Sequence, residues 1–266
     1  MRLNYSTGFL AAIGFLLMGG MFFVSCDEEL PPVIMTAEEK PLLDTFYVGS
    51  VPSATVKKVL LFDVTGVRCN NCPKAAALAK TLAASNAGRI EVVALYPKTP
   101  MSLTYPWTGF DTMSTIEADQ LATALGGITS LPLGAVDQVA YNGSKLLNTS
   151  DWGAAITAQL AKTSPFNLTI KSTWQSAEGR ARVEVKATAN AAVSGNYKWV
   201  MAITESGVKS KQSDQDAPGG VVDDYEHEHA LRGVVGSTLG SDINTSAVST
   251  GDRKSTRLNS SHQIIS

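Results

Sequence analysis

The stretch VLLFDVTGVRCNNCP, Val59 to Pro73, decides how this chain is read. Val59 to Phe62 is an uninterrupted apolar run, the mark of a strand buried on both faces. Thr65-Gly66 then turns the chain, and Cys69 and Cys72 follow two residues apart. Pro73 suits the first turn of a helix, where a missing N–H costs nothing. The order is strand, turn, CxxC, helix. It sets two thiols where unpaired N–H groups and the helix dipole favour a thiolate.

Outward from this block the pattern alternates between strand and helix. Ala76, Leu78, Ala79, Leu82 and Ala83 recur at helical spacing, and Ile90 to Leu95 is a second buried strand. Pro97 to Thr115 is long, irregular and aromatic, as loops that cover something tend to be. A helix is predicted over Ser114 to Leu125 and a strand over Leu133 to Val139. An Asn142-Gly143 turn follows, then a helix over Asp151 to Lys162 capped by Ser150.

Over Val56 to Lys162 this order resembles thioredoxin. The resemblance rests on Cys69-Asn70-Asn71-Cys72, on Pro132 after the second helix, and on Asp63 six residues before Cys69. It implies a thioredoxin-like α/β domain over residues 56–163. Cys69 would attack a disulfide, Cys72 would resolve the mixed disulfide, and Asp63 would relay the proton of Cys72. Pro132 would shape the substrate groove and Leu131 would touch the substrate. Arg68 stands where thioredoxins carry Trp, and its charge would lower the pKa of Cys69. The residue reading leaves a second possibility open, a permanently oxidised Cys69–Cys72 clip with no turnover.

After Ser164-Pro165 the pattern becomes alternating. Leu168 to Ile170, Arg180 to Ala187, Tyr197 to Thr204 and Leu231 to Val235 read as strands, with a polar excursion over Gly207 to Asp224. Residues 164–251 are therefore expected to form an all-β, immunoglobulin-like sandwich, incomplete at its C-terminal end. Within it, Tyr225-Glu-His-Glu-His229 would place His227 and His229 on one face if extended. Two imidazoles on one face could bind a metal, but no third ligand is set by spacing, so no metal is assigned. The favoured reading is a strand whose His and Tyr hydrogen-bond a neighbouring loop. No cofactor is expected.

At the N-terminus Arg2 precedes an apolar core, Phe9 to Val24, which is short for a membrane span and ends at Ser25-Cys26. Small residues before a lone Cys resemble a bacterial lipobox. Residues 1–26 are read as a lipoprotein signal peptide ending at the acylated Cys26, and the Pro-containing stretch 27–55 as a tether. The acidic run after Cys26 resembles a lipoprotein surface-export signal. Outer-membrane lipid is thus the first expected partner, reached through Cys26. A net charge of -2 gives no basic surface for nucleic acid.

Taken together, the lipobox, the CxxC block and a β-region with Y-x-H-x-H-x-L-R resemble the outer membrane protein 28-related lipoproteins of Gram-negative bacteria. The resemblance implies architecture and an outer-membrane location. The leading expectation is thiol–disulfide exchange on extracytoplasmic proteins. The alternative is a non-enzymatic surface or assembly lipoprotein, with the aromatic loop Tyr105 to Phe110 and the β-region carrying the binding. Finally, the codons of Asp252 to His262 (DRKSTRLNSSH) can be read as a common sequencing adapter, so residues 252–266 are expected to be foreign to the native chain.

Overall fold

A computed structural model describes residues 56–175, 180–243, 249–250 and 253–261 of the chain. The expected signal peptide, Cys26 and the tether lie outside the described residues. The first strand, β1 (Val59–Val64), runs parallel to β2 (Ile90–Leu95), with Val59 opposite Ile90 and Val64 opposite Leu95. Between them lies α1 (Cys72–Ser85), with Pro73 in its first turn. A one-turn helix α2 (Met101–Thr104) and then α3 (Ile116–Ala124) lead to β3 (Leu133–Val136), which pairs antiparallel with β1. Thr115 caps α3 by accepting from Ala118 N at 3.1 Å.

β3 stops earlier than its apolar run suggests. Asp137 and Gln138 take positive φ, and Asp137 Oδ1 turns back to accept from Leu60 N at 2.8 Å. Helix α4 (Thr149–Leu160) begins after Asn148, so Ser150 lies inside its first turn rather than capping it.

Alternating residues of β1 serve two cores, which is why the strand is apolar at every position but Asp63. On one face Val59 and Leu61 pack with Ala75, Ala79, Trp152 and Ile156 of α1 and α4. On the other Phe62 and Val64 pack with Leu121 and Leu125, from α3 and its C-terminal end. Gly134 makes the first core possible: a Cβ there would collide with the indole of the fully buried Trp152.

Beyond Ser164 the chain departs from the expected stacked sandwich. β4 (Phe166–Gln175), β5 (Arg180–Ala189) and β12 (Arg253–Ser261) form a three-stranded antiparallel sheet in the order β12-β5-β4. Short β6 (Lys198–Trp199) pairs with β11 (Ser241–Asp242). β8 (Val208–Ser213) and β9 (Val221–His227) make a two-stranded ribbon, so the polar excursion is largely an ordered hairpin. β7 (Met201–Glu205) and β10 (Ala230–Val235) join the first sheet, giving the order β3-β1-β2-β10-β7. The physical reason is burial. β10 is buried at five of its six positions, which suits the interior of a sheet covered on both faces rather than a half-exposed sandwich strand. The result is a mixed α/β structure dominated by β-sheet.

Replacing Gly134 by Ala should destabilise the fold by about 2–3 kcal/mol, because the indole has no room to move. Urea unfolding followed by tryptophan fluorescence would measure the drop in midpoint.

Candidate functional site at the CxxC turn

Cys69 and Cys72 are joined in a disulfide with their Cα atoms 5.4 Å apart. The turn is shaped by Cys69 N donating to Gly66 O at 3.0 Å and Cys72 N to Cys69 O at 3.2 Å. Both cysteines are buried, at 2% and 1% exposure. The β8–β9 ribbon is hydrogen-bonded to the backbone of this turn. Gln212, itself 2% exposed, points its amide at the carbonyls of Gly66 (3.2 Å) and Cys69 (3.0 Å). Ser213 N donates to Val67 O, Gln215 N donates to Asn70 O, and Lys74 pairs with Asp216 at 3.1 Å. Nothing in the polar spacing of residues 207–224 distinguished Gln212 beforehand.

Arg68 is engaged elsewhere. Its guanidinium donates to the carbonyls of Tyr105 and Pro106 and stacks 4.0 Å from the centroid of the Trp107 ring. Trp107 Nε1 returns a hydrogen bond to Val67 O. Arg68 thereby fastens the aromatic loop beside the CxxC. At Gly66 a Cβ would strike the Leu103 carbonyl, with the Leu131 side chain alongside. Leu131-Pro132 is a cis peptide bond. It lies one step beyond the Val64–Leu133 pair, next to Thr65.

Asp63, near the end of β1, is buried, and its Oδ1 has no hydrogen-bond partner. Burial alone pushes its pKa up from 3.8 to about 7. It shares a cavity of about 670 Å³ with Cys72, Tyr96, Gln212, Tyr225 and His227. His227 is 2% exposed, with Nδ1 3.0 Å from the Tyr96 hydroxyl. Burial lowers its pKa to about 4; the backbone of Ser210 offsets part of this, yet Nε2 has no partner in hydrogen-bonding geometry.

His229 also lines this cavity, but unlike His227 it is exposed. β9 ends at His227, and His229 takes a φ of 57° and is exposed. The positive φ breaks the alternation that would have aligned the two imidazoles. Sequence reading missed Gln212 as a partner of the CxxC turn and Tyr96 and Tyr225 as lining the cavity that Cys72 reaches, because other elements bring them there.

The family model of outer membrane protein Omp28 matches residues 119–262, over half of the 266-residue chain. The chain belongs to the Omp28 family. It is thus a member of an outer membrane protein family, and the match takes in Pro132, His227 and His229 while Asp63, Cys69 and Cys72 precede it. The match also runs through β12 to residue 262. No curated protein matches the sequence. Among solved structures, HBP35 of Porphyromonas gingivalis is similar at 16% identity and a TM-score of 0.57, over 77% of this chain. This Omp28 chain spans 64% of that structure's length, and the likeness is one of fold. A protein of Agrobacterium tumefaciens aligns at 15% identity with a TM-score of 0.44, covering 77% of this chain and 80% of its own.

Two outcomes follow for this site. Asp63 has a folded pKa above its unfolded one, so its contribution favours folding at low pH and is lost as pH rises from about 4 to about 7. Asp63→Asn should therefore roughly match the parent at pH 4 and exceed it by up to about 4 kcal/mol at pH 8, in urea melts of the oxidised protein. Gln212→Leu strips the Gly66 and Cys69 carbonyls of their shared donor. It should cost about 1–3 kcal/mol and speed iodoacetamide labelling of Cys69 after reduction.

Proposed function

We propose that this chain is an outer-membrane lipoprotein, anchored through acylated Cys26, whose residues 56–163 form a thioredoxin-like body carrying out thiol–disulfide exchange on extracytoplasmic proteins. The observation that carries the reading is Asp63. Asp63 is a buried carboxyl with one oxygen unpartnered, it lines the same cavity as Cys72, and a perturbed titratable group in a cleft supports a chemical role. Its pKa near 7 suits proton transfer at neutral pH.

The exchange balances on these residues. With the pair reduced, the Cys69 thiolate attacks one sulfur of a substrate disulfide and the other sulfur leaves as a thiolate. Cys72 passes its proton to the Asp63 carboxylate and attacks Cys69 Sγ. This forms the Cys69–Cys72 disulfide and releases the second substrate thiolate. Two electrons pass to the substrate, and the reverse sequence oxidises a dithiol. Cis Pro132 and Leu131 form one wall of the groove in this reading, and Arg68 holds the aromatic loop that forms another.

A second reading is favoured by the exposures of Cys69 and Cys72 and by the Gln212 contacts that close the turn. In it the disulfide is structural and the protein serves surface attachment or assembly without turnover. Exchange with a protein partner requires Cys69 to become more exposed than its 2%.

The reduction potential of the pair, titrated against glutathione and dithiothreitol, separates the two. Exchange predicts a value above about -300 mV, together with loss of insulin-reducing activity in Cys69→Ser. A potential below that limit, or activity that survives Cys69→Ser, means a clip.

A further inference from the structure

The cavity lined by residues of β1, β2, α1 and the β8–β9 ribbon has a composition that a proton relay through Asp63 accounts for only in part. Asp63 and His227 both line it, and each has one buried polar atom, Oδ1 and Nε2, without a partner in hydrogen-bonding geometry. Its volume, about 670 Å³, falls in the range of small-molecule sites, which are mostly apolar with a few convergent polar groups. The walls here are apolar at Ala76, Val92 and Ala94 and aromatic at Tyr96 and Tyr225. The two tyrosine rings flank the imidazole, at 5.8 and 4.7 Å between centroids.

We infer that this cavity is a binding site for a small organic cation, an amine with a short apolar body, whose ammonium group pairs with Asp63. The charges around it favour that class. Asp63 from β1 and Glu226 and Glu228 from the β9 end are acidic, against one lysine, Lys80 of α1. His227 is held neutral by burial, and Arg232 of β10 is engaged by Glu205 at 2.6 Å. His229 sits at the exposed mouth. A desolvated carboxylate is costly when alone and strongly favourable once paired. Tyrosine walls add cation–π attraction, and the alanines accept an alkyl chain. A neutral ligand would leave the Asp63 charge uncompensated, and an anion would meet Asp63 and Glu228, Glu226 being paired with Lys209 at 3.7 Å.

Binding requires Asp63 ionised, so affinity should follow its titration. Tyr96 and Tyr225 are both raised by burial and by Asp63 and remain neutral over this range. The site is read on the oxidised, resting protein, so its failure and the failure of the exchange reading are separate results.

The probe is n-pentylammonium, with 1-pentanol as the neutral match, titrated calorimetrically into the oxidised full chain. The amine should bind at least tenfold tighter than the alcohol, and about tenfold tighter at pH 8 than at pH 6. Asp63→Asn, expected to fold at least as stably as the parent, should erase both differences. Tyr225→Leu should weaken the amine several-fold while leaving the pH dependence in place. Equal binding of amine and alcohol overturns the inference. So does no binding at millimolar concentration, or an amine affinity unchanged in Asp63→Asn.

Discussion

The contact on which the site depends is a single strand pairing. Ala230 of β10 lies opposite Ala94 of β2, and Ala94 N donates to His229 O at 2.8 Å. That pairing closes the open edge of β2 and carries the second half of the chain onto the first. Because β9 immediately precedes β10, the same contact fixes where the β8–β9 ribbon lies. It therefore sets Gln212 over the CxxC turn and His227 against Tyr96. A ribbon of two strands has little independent stability in water. Its place is held instead by the hydrogen bonds to Gly66, Val67, Cys69 and Asn70 and by β10 beyond it.

His229 shows how tight this junction is. Only two residues separate β9 from β10, and in them the chain leaves the ribbon and enters the central sheet. An abrupt change of direction needs positive φ, uncommon outside Gly and more tolerated by His than by β-branched residues. The Ser206 hydroxyl supports it by accepting from His229 N at 3.0 Å. The imidazole is turned outward as a consequence, while His227, two residues earlier, is buried.

The first half of the molecule was legible because its information is local. Apolar runs at Val59 to Val64 and Ile90 to Leu95, helical spacing after Pro73 and turn chemistry at Asn142-Gly143 each act over a few residues. Asp63, Cys69 and Cys72 could be named for the same reason, since one strand and one turn place them. What could not be read was pairing between segments over a hundred residues apart. Nothing in ALRGVV states which sheet it enters; only the unpaired edge of β2 decides that, and this edge exists only in three dimensions. Gln212 was hidden by the same principle. Its role lies in the carbonyls it meets, and a glutamine in a polar stretch carries no mark of them. Arg68 shows the converse: its place beside Cys69 in sequence suggested an electrostatic role, whereas its length lets it reach the carbonyls of Tyr105 and Pro106.

The two buried titratable groups in the cavity, Asp63 and His227, act in opposite senses, and that defines its charge. With the pKa of His227 near 4 and that of Asp63 near 7, both are neutral in the folded protein between those limits. Above that window the cavity gains a carboxylate with no cation in contact, at a cost of at most about 4 kcal/mol relative to a solvated one. A fold stable by 5–15 kcal/mol can carry that cost, but neutral drift would remove it readily, since one change to Asn relieves it. Its presence in the cavity that Cys72 also lines is the reason for treating that cavity as working space. A proton passed from the thiol, or a cation drawn in from solvent, converts the same unpaired charge from a liability into the strongest interaction available there. The sealed ribbon then determines which of these events the carboxylate meets first.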